Sequence, residues 1–468
     1  MNLELTHRLR TFLLAAALLL ATLRATPAQE PPEAPKPQAA AQNSSAWQTP
    51  ATNEPVQVSL SSALALARKN SIVYQAALTD SGSAHEDRTQ ARDALLPQVA
   101  YNNQVLYTQG NNLGGVRYIA NNAVHEYVSQ GNVHEAIDLA AVANYRKISA
   151  AAAVARAKAE IASRGLVVTV VQSYFTALAA QDKLDDAKRT ATEGDRFLEL
   201  TQQLEKGGEA AHSDAIKAEL QAQDRRRQLQ EAQLALLNAR LDLAVLIFPN
   251  FQDNFVLTDN LRATVPLPTL EEVQQQAARD NPDLRAALES LNLSNHEVAS
   301  ARSGYLPSLG LDYFYGIDSA RFAVNGVDPT TGQRFSNLGS SASASLNFPV
   351  WNWGSTRSRI HQAQLHQNLA KLDLSYSQRK LIAEIRSLYA EAETSLNELS
   401  GLARSAELAA ESQRLTTLRY RAGESTVLEV VDSQTAFVQA SNNYHDGAVR
   451  YRVALANLQT LTGVLTTP

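Results

Sequence analysis

Two carboxylates in the last tenth of the chain are the groups best placed to do chemistry. Glu429 and Asp432 lie three residues apart in a segment whose apolar residues recur with helical spacing, so both side chains would share one helical face. Three copies of that face meeting at a constriction would bring six carboxylates together, and such rings attract cations through their field alone. The alternative is that both are ordinary solvated charges, and the spacing is compatible with either interpretation.

Composition excludes several other kinds of site. The 468 residues include no cysteine, and the single methionine is Met1, so thiol catalysis, disulfides and cysteine-based metal sites are absent. A formal net charge of −5 gives no reason to expect a nucleic-acid partner. The histidines at 125, 134, 361 and 366 lack the helical His–Glu–His spacing of a zinc protease. We therefore predict no catalytic, cofactor-binding or metal site, and no enzymatic activity.

The first 54 residues do not look like part of a folded core. Residues 1–28 combine a basic start, a short apolar core and small residues, which predicts a secretory signal peptide. Residues 29–54 are rich in Pro, Ala and Gln, which predicts a disordered lead-in.

The remainder contains an internal duplication. Residues 59–78 resemble residues 269–288, and the Leu-Pro pair at 96–97 recurs at 306–307 with the same offset of about 210 residues. A repeat of this size describes a whole architecture. We therefore predict two repeats, at 55–261 and 262–464.

Each predicted repeat contains two segments in which apolar and polar residues alternate. This period of two predicts strands at about 97–109, 133–145, 307–318 and 339–350. Segments of about ten residues with tyrosines near their ends are typical of tilted transmembrane strands, although a soluble hairpin in each half is the alternative. Four strands cannot close a barrel, for which about eight is the minimum.

Long helical segments follow the strands, and each reverses at glycine. We predict hairpin tips at about 205–213 and 420–426, with Gly207, Gly208 and Gly423 as hinges because glycine suits the left-handed position after a helix. Ser425 is the expected start of the last helix. The run at 225–227, three arginines, indicates a solvated face, with a docking patch for a partner as the alternative.

The segment 419–432 reads RYRAGESTVLEVVD, and it closely resembles the second hairpin tip of the TolC family of outer-membrane efflux ducts. The exit segment 348–354 (FPVWNWG), the duplicated Leu-Pro pairs and the paired glycine hinges resemble the same family, with Trp351 where the family usually has Phe.

The resemblance implies a mainly helical fold with a small β part. Long antiparallel helical hairpins would form an α-barrel in the periplasm, and four strands per protomer would complete a twelve-stranded barrel in the outer membrane of a homotrimer. It implies a passive exit duct of a tripartite efflux pump or a type I secretion system. Its partners would be a periplasmic adaptor (membrane fusion protein), an inner-membrane transporter and outer-membrane lipid. The alternative is a soluble periplasmic coiled-coil scaffold or adaptor.

The resemblance also implies a gate at the periplasmic tip. Glu429 and Asp432 match its acidic rings, Tyr420 matches a gating tyrosine before the hinge, and Asp214 matches an acidic residue after the first hinge. Ser425 stands where the best-known member has a basic residue, so we expect no salt-bridged latch between Ser425 and Asp214.

Overall fold

A computed structural model describes residues 55–107, 125–250, 254–261, 265–319, 322–327 and 330–463. The predicted signal peptide and lead-in lie outside these ranges. Within them the chain forms eight helices: α1 Leu60–Asn70, α2 Ile72–Asp93, α3 Leu139–Lys206, α4 His212–Ile247, α5 Leu270–Asp280, α6 Pro282–Ser303, α7 Ser355–Arg421 and α8 Val427–Thr462. The strands of the same ranges are β1 Val56–Val58, β2 Gln98–Tyr107, β3 His125–Asp138, β4 Phe255–Leu257, β5 Ser308–Ser319, β6 Asn325–Val327, β7 Arg334–Ser336 and β8 Leu338–Asn347.

Two very long helices dominate the fold. α3 has 68 residues and α7 has 67, so each is about 100 Å long at 1.5 Å per residue. Each turns sharply into a returning helix of 36 residues, α4 or α8. The mainly helical fold with a small β part, predicted above, is confirmed.

The four longer strands form one antiparallel sheet in the order β2-β3-β5-β8. Residues that pair across strands share a face. One face is apolar and exposed, with these members: Val99, Tyr101, Val105, Val133, Ile137, Leu311, Tyr313, Tyr315 and Leu346. The opposite face is mostly polar, with these members: Asn102, Gln104, Gln130, Asn132, His134, Asp312, Ser341, Ser343 and Ser345.

The predicted strand at 133–145 is wrong at both ends. β3 begins by His125 and stops at Asp138, whose carboxylate accepts from the amide of Ala140 at 2.7 Å and caps α3. The apolar residues that follow are largely alanine, and alanine favours helix. The polar residues before 133 looked like a loop, but they pair with neighbours on both sides. The expected fourth strand also ends early, at Asn347, before Pro349.

The helices pack around a large buried cluster. The largest buried cluster joins α1, α3, α4 and α8 to the short parallel pair β1–β4, with Tyr174 and Tyr451 among its buried members.

Among the described helices, α3 alone has a stretch long and apolar enough to cross a membrane, and half of that stretch is buried inside the molecule, as in a core helix.

Candidate functional site

The two hairpin tips depend on left-handed glycines. Gly208 has φ +80° and Gly423 has φ +76°, backbone conformations that strain any residue with a Cβ. Gly207 instead caps α3 at φ −76°, a right-handed conformation open to other residues. Of the three predicted hinge glycines, Gly208 and Gly423 are therefore the positions where the turn requires glycine.

Glu429 is tied to the turn that precedes it. The N-cap of α8 is Thr426, not the expected Ser425, and its hydroxyl accepts from the amide of Glu429 at 3.3 Å. Ser425 instead donates to the Glu429 carboxylate at 2.6 Å. That bond, followed by those from Thr426 and the charge of Arg419, lowers the pKa of Glu429 despite some desolvation. Glu429 therefore stays ionised at neutral pH, and Asp432 is exposed one turn along.

Tyr420 belongs to the packed interior of the tip. Its ring lies 5.1 Å from that of Phe197, and its hydroxyl donates to Thr201 Oγ1 at 3.1 Å. Asp214, in the first turn of α4, lies 3.3 Å from Lys217 Nζ. The structure thus gives Tyr420 and Asp214 separate partners within one chain and does not join them by a hydrogen bond.

Two buried polar groups were not expected from the sequence. Arg225 was interpreted as part of a solvated run, but it is 2% exposed and donates to Thr435 and Gln228. His445 on α8 is also 2% exposed, and its Nε2 lies 3.0 Å from Asp186 Oδ2 on α3. Burial alone would raise the pKa of Asp186, but hydrogen bonds from His445, Ser441 and Arg189 lower it to about 2.

The sheet has the two unlike faces of a membrane wall. Val99, Tyr101 and Val105 are 68–78% exposed, because nothing within the described ranges of the chain covers them. On the polar face, His134 Nδ1 lies 2.7 Å from Asp312 Oδ1. Below β8, the exposed rings of Trp351 and Trp353 meet edge to face at 5.8 Å. Exposed tryptophans beside an apolar band are typical of a membrane interface.

Known proteins resemble this chain along most of its length. Residues 273–464 match the family model for "Outer membrane efflux protein". The alkaline protease secretion protein AprF of Pseudomonas aeruginosa is 25% identical over 86% of this chain and 83% of its own length. The outer membrane protein TolC of Vibrio cholerae is 26% identical over 64% of this chain and 68% of its own length.

Solved structures share the fold. The Neisseria gonorrhoeae MtrE outer membrane channel in its open state superposes with a TM-score of 0.72 at 20% identity, covering 86% of this chain and 88% of its own. The Campylobacter jejuni CmeC outer membrane channel gives 0.71 at 17% identity, with 86% and 85% coverage. TolC, MtrE and CmeC are named as proteins or channels of the outer membrane, and AprF is named as a protease secretion protein. In sequence and in fold the chain is similar to the TolC-like outer membrane efflux proteins, and this similarity supports its role as an exit duct in the outer membrane that extends into the periplasm.

Proposed function

We propose that three copies of this chain close into a single conduit. The observation that carries the proposal is the open sheet, whose edge strands β2 and β8 are unpaired on their outer sides within the described chain. Because the four strands alternate in direction, β8 of one copy can pair antiparallel with β2 of the next. Twelve strands then leave no free edge, place the apolar face toward lipid and enclose the polar face.

Exposed apolar residues on two of the helices also indicate contacts with neighbouring copies. α7 presents an exposed stripe spaced by four, three and four residues, and the stripe points away from the buried side of the helix: Leu365, Leu369, Leu372 and Tyr376. α4 has its own exposed apolar residues: Ile216, Leu220, Leu234, Leu237 and Val245. Such stripes are suited to coiled-coil seams. We propose that α7 of one copy packs against α4 of the next.

In this assembly the acidic pair at the tip would be present in three copies. Glu429 and Asp432 are exposed on one side of α8, and we propose that they line the periplasmic entrance as cation-selective rings. Conduction is passive. A periplasmic adaptor and an inner-membrane transporter open the tip and supply energy, in an efflux or a secretion system. The two repeats, at 55–261 and 262–464, each contribute one hairpin and one pair of strands.

The oligomer is tested by membrane fractionation and light scattering. We expect a trimer that is released from the outer-membrane fraction only by detergent. A monomer found in the soluble periplasm without detergent would contradict the duct and favour a coiled-coil scaffold.

The rings are tested by single-channel conductance. Millimolar trivalent cations should block the wild-type pore, and the double variant Glu429→Gln/Asp432→Asn should abolish the block because it removes six carboxylates from a constriction. Glu424→Gln, an exposed charge in the turn itself, is the matched control and should leave the block intact. An unchanged block in the double variant would remove both residues from the entrance.

A further inference from the structure

Basic residues gather where the four long strands of the sheet join the helices. The ten residues on the helical side of each of β2, β3, β5 and β8 include six arginines or lysines and one acid, Asp93, in a chain whose formal net charge is −5. These six residues are named the basic belt: Arg88, Arg92, Arg146, Lys147, Arg302 and Arg357. Glu135 and Asp138, among the last four residues of β3, leave the excess positive.

The basic belt extends across the whole width of the sheet. α2, α3, α6 and α7 join β2, β3, β5 and β8 in turn, and each of these helices packs against the next in the order of the strands. Lys147 of α3 and Arg359 of α7 line one hollow of about 380 Å³ that α6 also lines. Glu297 of α6, the one acid among the described residues lining it, lies 3.7 Å from His366 Nδ1. Positive charge therefore continues from one strand to the next.

Most of these cations are not neutralised within the chain. Arg92 pairs with Asp93 at 2.8 Å. Arg146, Arg302 and Arg357 are exposed, and none of them has a carboxylate partner among the residues described. Exposed guanidinium groups without a carboxylate are suited to phosphate, to which they can donate two parallel hydrogen bonds.

Exposed apolar side chains border the basic belt on the side of the strands. They come from the ends of three of the four connections between strand and helix: Leu96, Tyr305, Leu306, Phe348, Val350, Trp351 and Trp353. The apolar face of the sheet is thus followed first by aromatic and aliphatic side chains and then by basic ones. This order matches the hydrocarbon, interfacial and headgroup levels of a lipid leaflet.

Trp353 is held in an unfavourable backbone conformation. Its φ is +54°, and among the described residues it is the one non-glycine residue with a positive φ. That conformation costs free energy in a bulky residue. Packing within the described chain does not offset the cost, because Trp353 is 89% exposed. A contact outside the chain would offset it, and an indole among lipid headgroups makes such a contact.

We propose that the basic belt binds anionic phospholipids in the periplasmic leaflet of the outer membrane. Its arginines and its lysine pair with the lipid phosphate groups, while Trp351 and Trp353 lie at the level of the headgroups. The inference rests on the proposed function, in which the sheet lies in the membrane and the helices extend into the periplasm. It adds the chemical class of the lipid that surrounds the duct at this level.

The test uses the two tryptophans as probes. The chain has three tryptophans, so Trp47→Phe leaves Trp351 and Trp353 as the source of tryptophan fluorescence. This full-length protein is reconstituted in vesicles of phosphatidylglycerol and phosphatidylcholine in equal amounts, with the acyl chains of one lipid or the other brominated close to the headgroup. We expect brominated phosphatidylglycerol to quench the fluorescence severalfold more than brominated phosphatidylcholine, with a difference that shrinks as salt rises.

Arg357→Gln/Arg359→Gln in the same background should bring the quenching by the two lipids close to equal, because each arginine near a membrane surface contributes roughly fivefold in affinity for anionic lipid. The matched control Arg379→Gln/Arg386→Gln removes two exposed arginines of α7 that lie about 30 Å or more further along the helix, and it should keep the preference. Both double variants should conduct as the parent protein does, which shows that they fold.

Three results would overturn the proposal. The first is equal quenching by the two lipids in the parent protein, and the second is an undiminished preference in Arg357→Gln/Arg359→Gln. The third is a preference that millimolar inorganic phosphate abolishes and chloride of equal ionic strength does not, which would assign the basic belt to free phosphate.

Conductance of the same vesicles separates this proposal from the one on which it rests. Conducting protein whose tryptophans are quenched by neither lipid would place these side chains against a neighbouring copy, which overturns the lipid site and leaves the duct in place. Protein that neither inserts nor conducts would overturn the duct and the lipid site together.

Discussion

Tyr420 shows how a single hydroxyl holds the tip. Its ring is buried against Phe197, and its hydroxyl donates to Thr201, which in turn donates to the carbonyl of Phe197 at 2.9 Å. This chain of two hydrogen bonds links the end of α7 to the end of α3. The residue implied to be part of a gate is thus, within one chain, a packing residue.

Tyr420→Phe should keep the ring contact and lose one buried hydrogen bond, at about 1 kcal/mol of local stability. We expect faster amide hydrogen exchange at both hairpin tips, with little change elsewhere. Thr201→Val removes the same bond from the other side, so the double variant should cost less than the sum of the two. Additive effects would show that the two side chains do not act together.

Ser425→Ala should raise the pKa of Glu429, because the variant removes the largest contribution that lowers it. Because its pKa is lowered, Glu429 of the wild-type protein stays ionised at a lower pH than an ordinary glutamate does. In the variant, the block of conductance by trivalent cations should therefore fade at a higher pH than in wild type. Ser213→Ala, an exposed serine beside the other tip, should leave the pH profile unmoved.

The residues of the tip were only partly predictable. Gly208 and Gly423 could be found because a left-handed turn selects glycine locally, whatever surrounds it. The partner of Tyr420 could not, since Thr201 lies more than 200 residues away and meets it only through packing. Arg225 resembles its two neighbours in sequence, and only the close approach of Thr435 on α8 shows that it is buried.

Among the elements, helix ends are held together by one buried arginine of α3. Arg164 is 5% exposed, and it donates to the backbone carbonyls of Thr460 near the end of α8 and of Asp280, the last residue of α5, the latter at 2.7 Å. Helix C-termini leave carbonyls without intrahelical partners, so one guanidinium satisfies two of them. The clamp fixes three helices at one point.

Arg164→Leu should destabilise this region by about 3 kcal/mol, because buried carbonyls lose their donor. Thermal unfolding in detergent measures the loss. The matched control is Arg285→Leu, which removes the other, more exposed partner of Glu160 and should cost less than about 1 kcal/mol. Similar losses in the two variants would show that the carbonyl contacts contribute nothing.

The sheet contains a pair of glycines in register that differ in their surroundings. Gly316 on β5 pairs with Gly339 on β8. A Cβ on Gly316 would lie 2.3 Å from the carbonyl oxygen of Ser129, whereas a Cβ on Gly339 would meet nothing within 4 Å. Gly316→Ala should therefore reduce the yield of detergent-stable protein severalfold, and Gly339→Ala should be tolerated. Equal yields would show that the strands can separate at this point.

The bounds of β3 show where the alternation of apolar and polar residues fails to predict a strand. Alternation predicted β2, β5 and most of β8, since an exposed apolar face opposite a polar one has a clear period of two. It failed at β3 because the alanines after Asp138 satisfy a strand pattern and a helix pattern alike. The residues before Val133 are polar or glycine, and two neighbouring strands are what hold them in the sheet.

For the whole molecule, the exposed apolar side of α7 and the free edges of the sheet indicate contacts with neighbouring copies. α7 has one apolar side buried within the chain, by Leu381 and Ile385, and a second that is exposed. A helix with two apolar sides needs two partners. The two free edges of the sheet, on β2 and β8, also need partners.

Leu369→Glu/Leu372→Glu should shift the proposed trimer toward monomer, because it places six charges in the proposed seams. Light scattering in detergent measures the shift. Asn368→Asp/Gln378→Glu adds the same charge at exposed positions outside the stripe and should leave the proposed trimer intact. A trimer that withstands the first variant would mean that the stripe faces solvent.

At this scale the sequence was most informative, because the repeated Leu-Pro pairs and the repeated hinges occur in the same order in both halves. The pairing of β3 with β5, which joins the halves, could not be predicted from the sequence pattern of either half alone.

That register has a genetic consequence. The two halves meet through β3 and β5 in the middle of the sheet, while one outer edge comes from each half. A half-length chain would therefore carry one edge of each kind, and six such chains could close the proposed twelve-stranded ring in place of three full ones. Because one chain holds both halves, the two hairpins can carry different residues at equivalent places, such as the exposed Glu429 and Asp432 on α8.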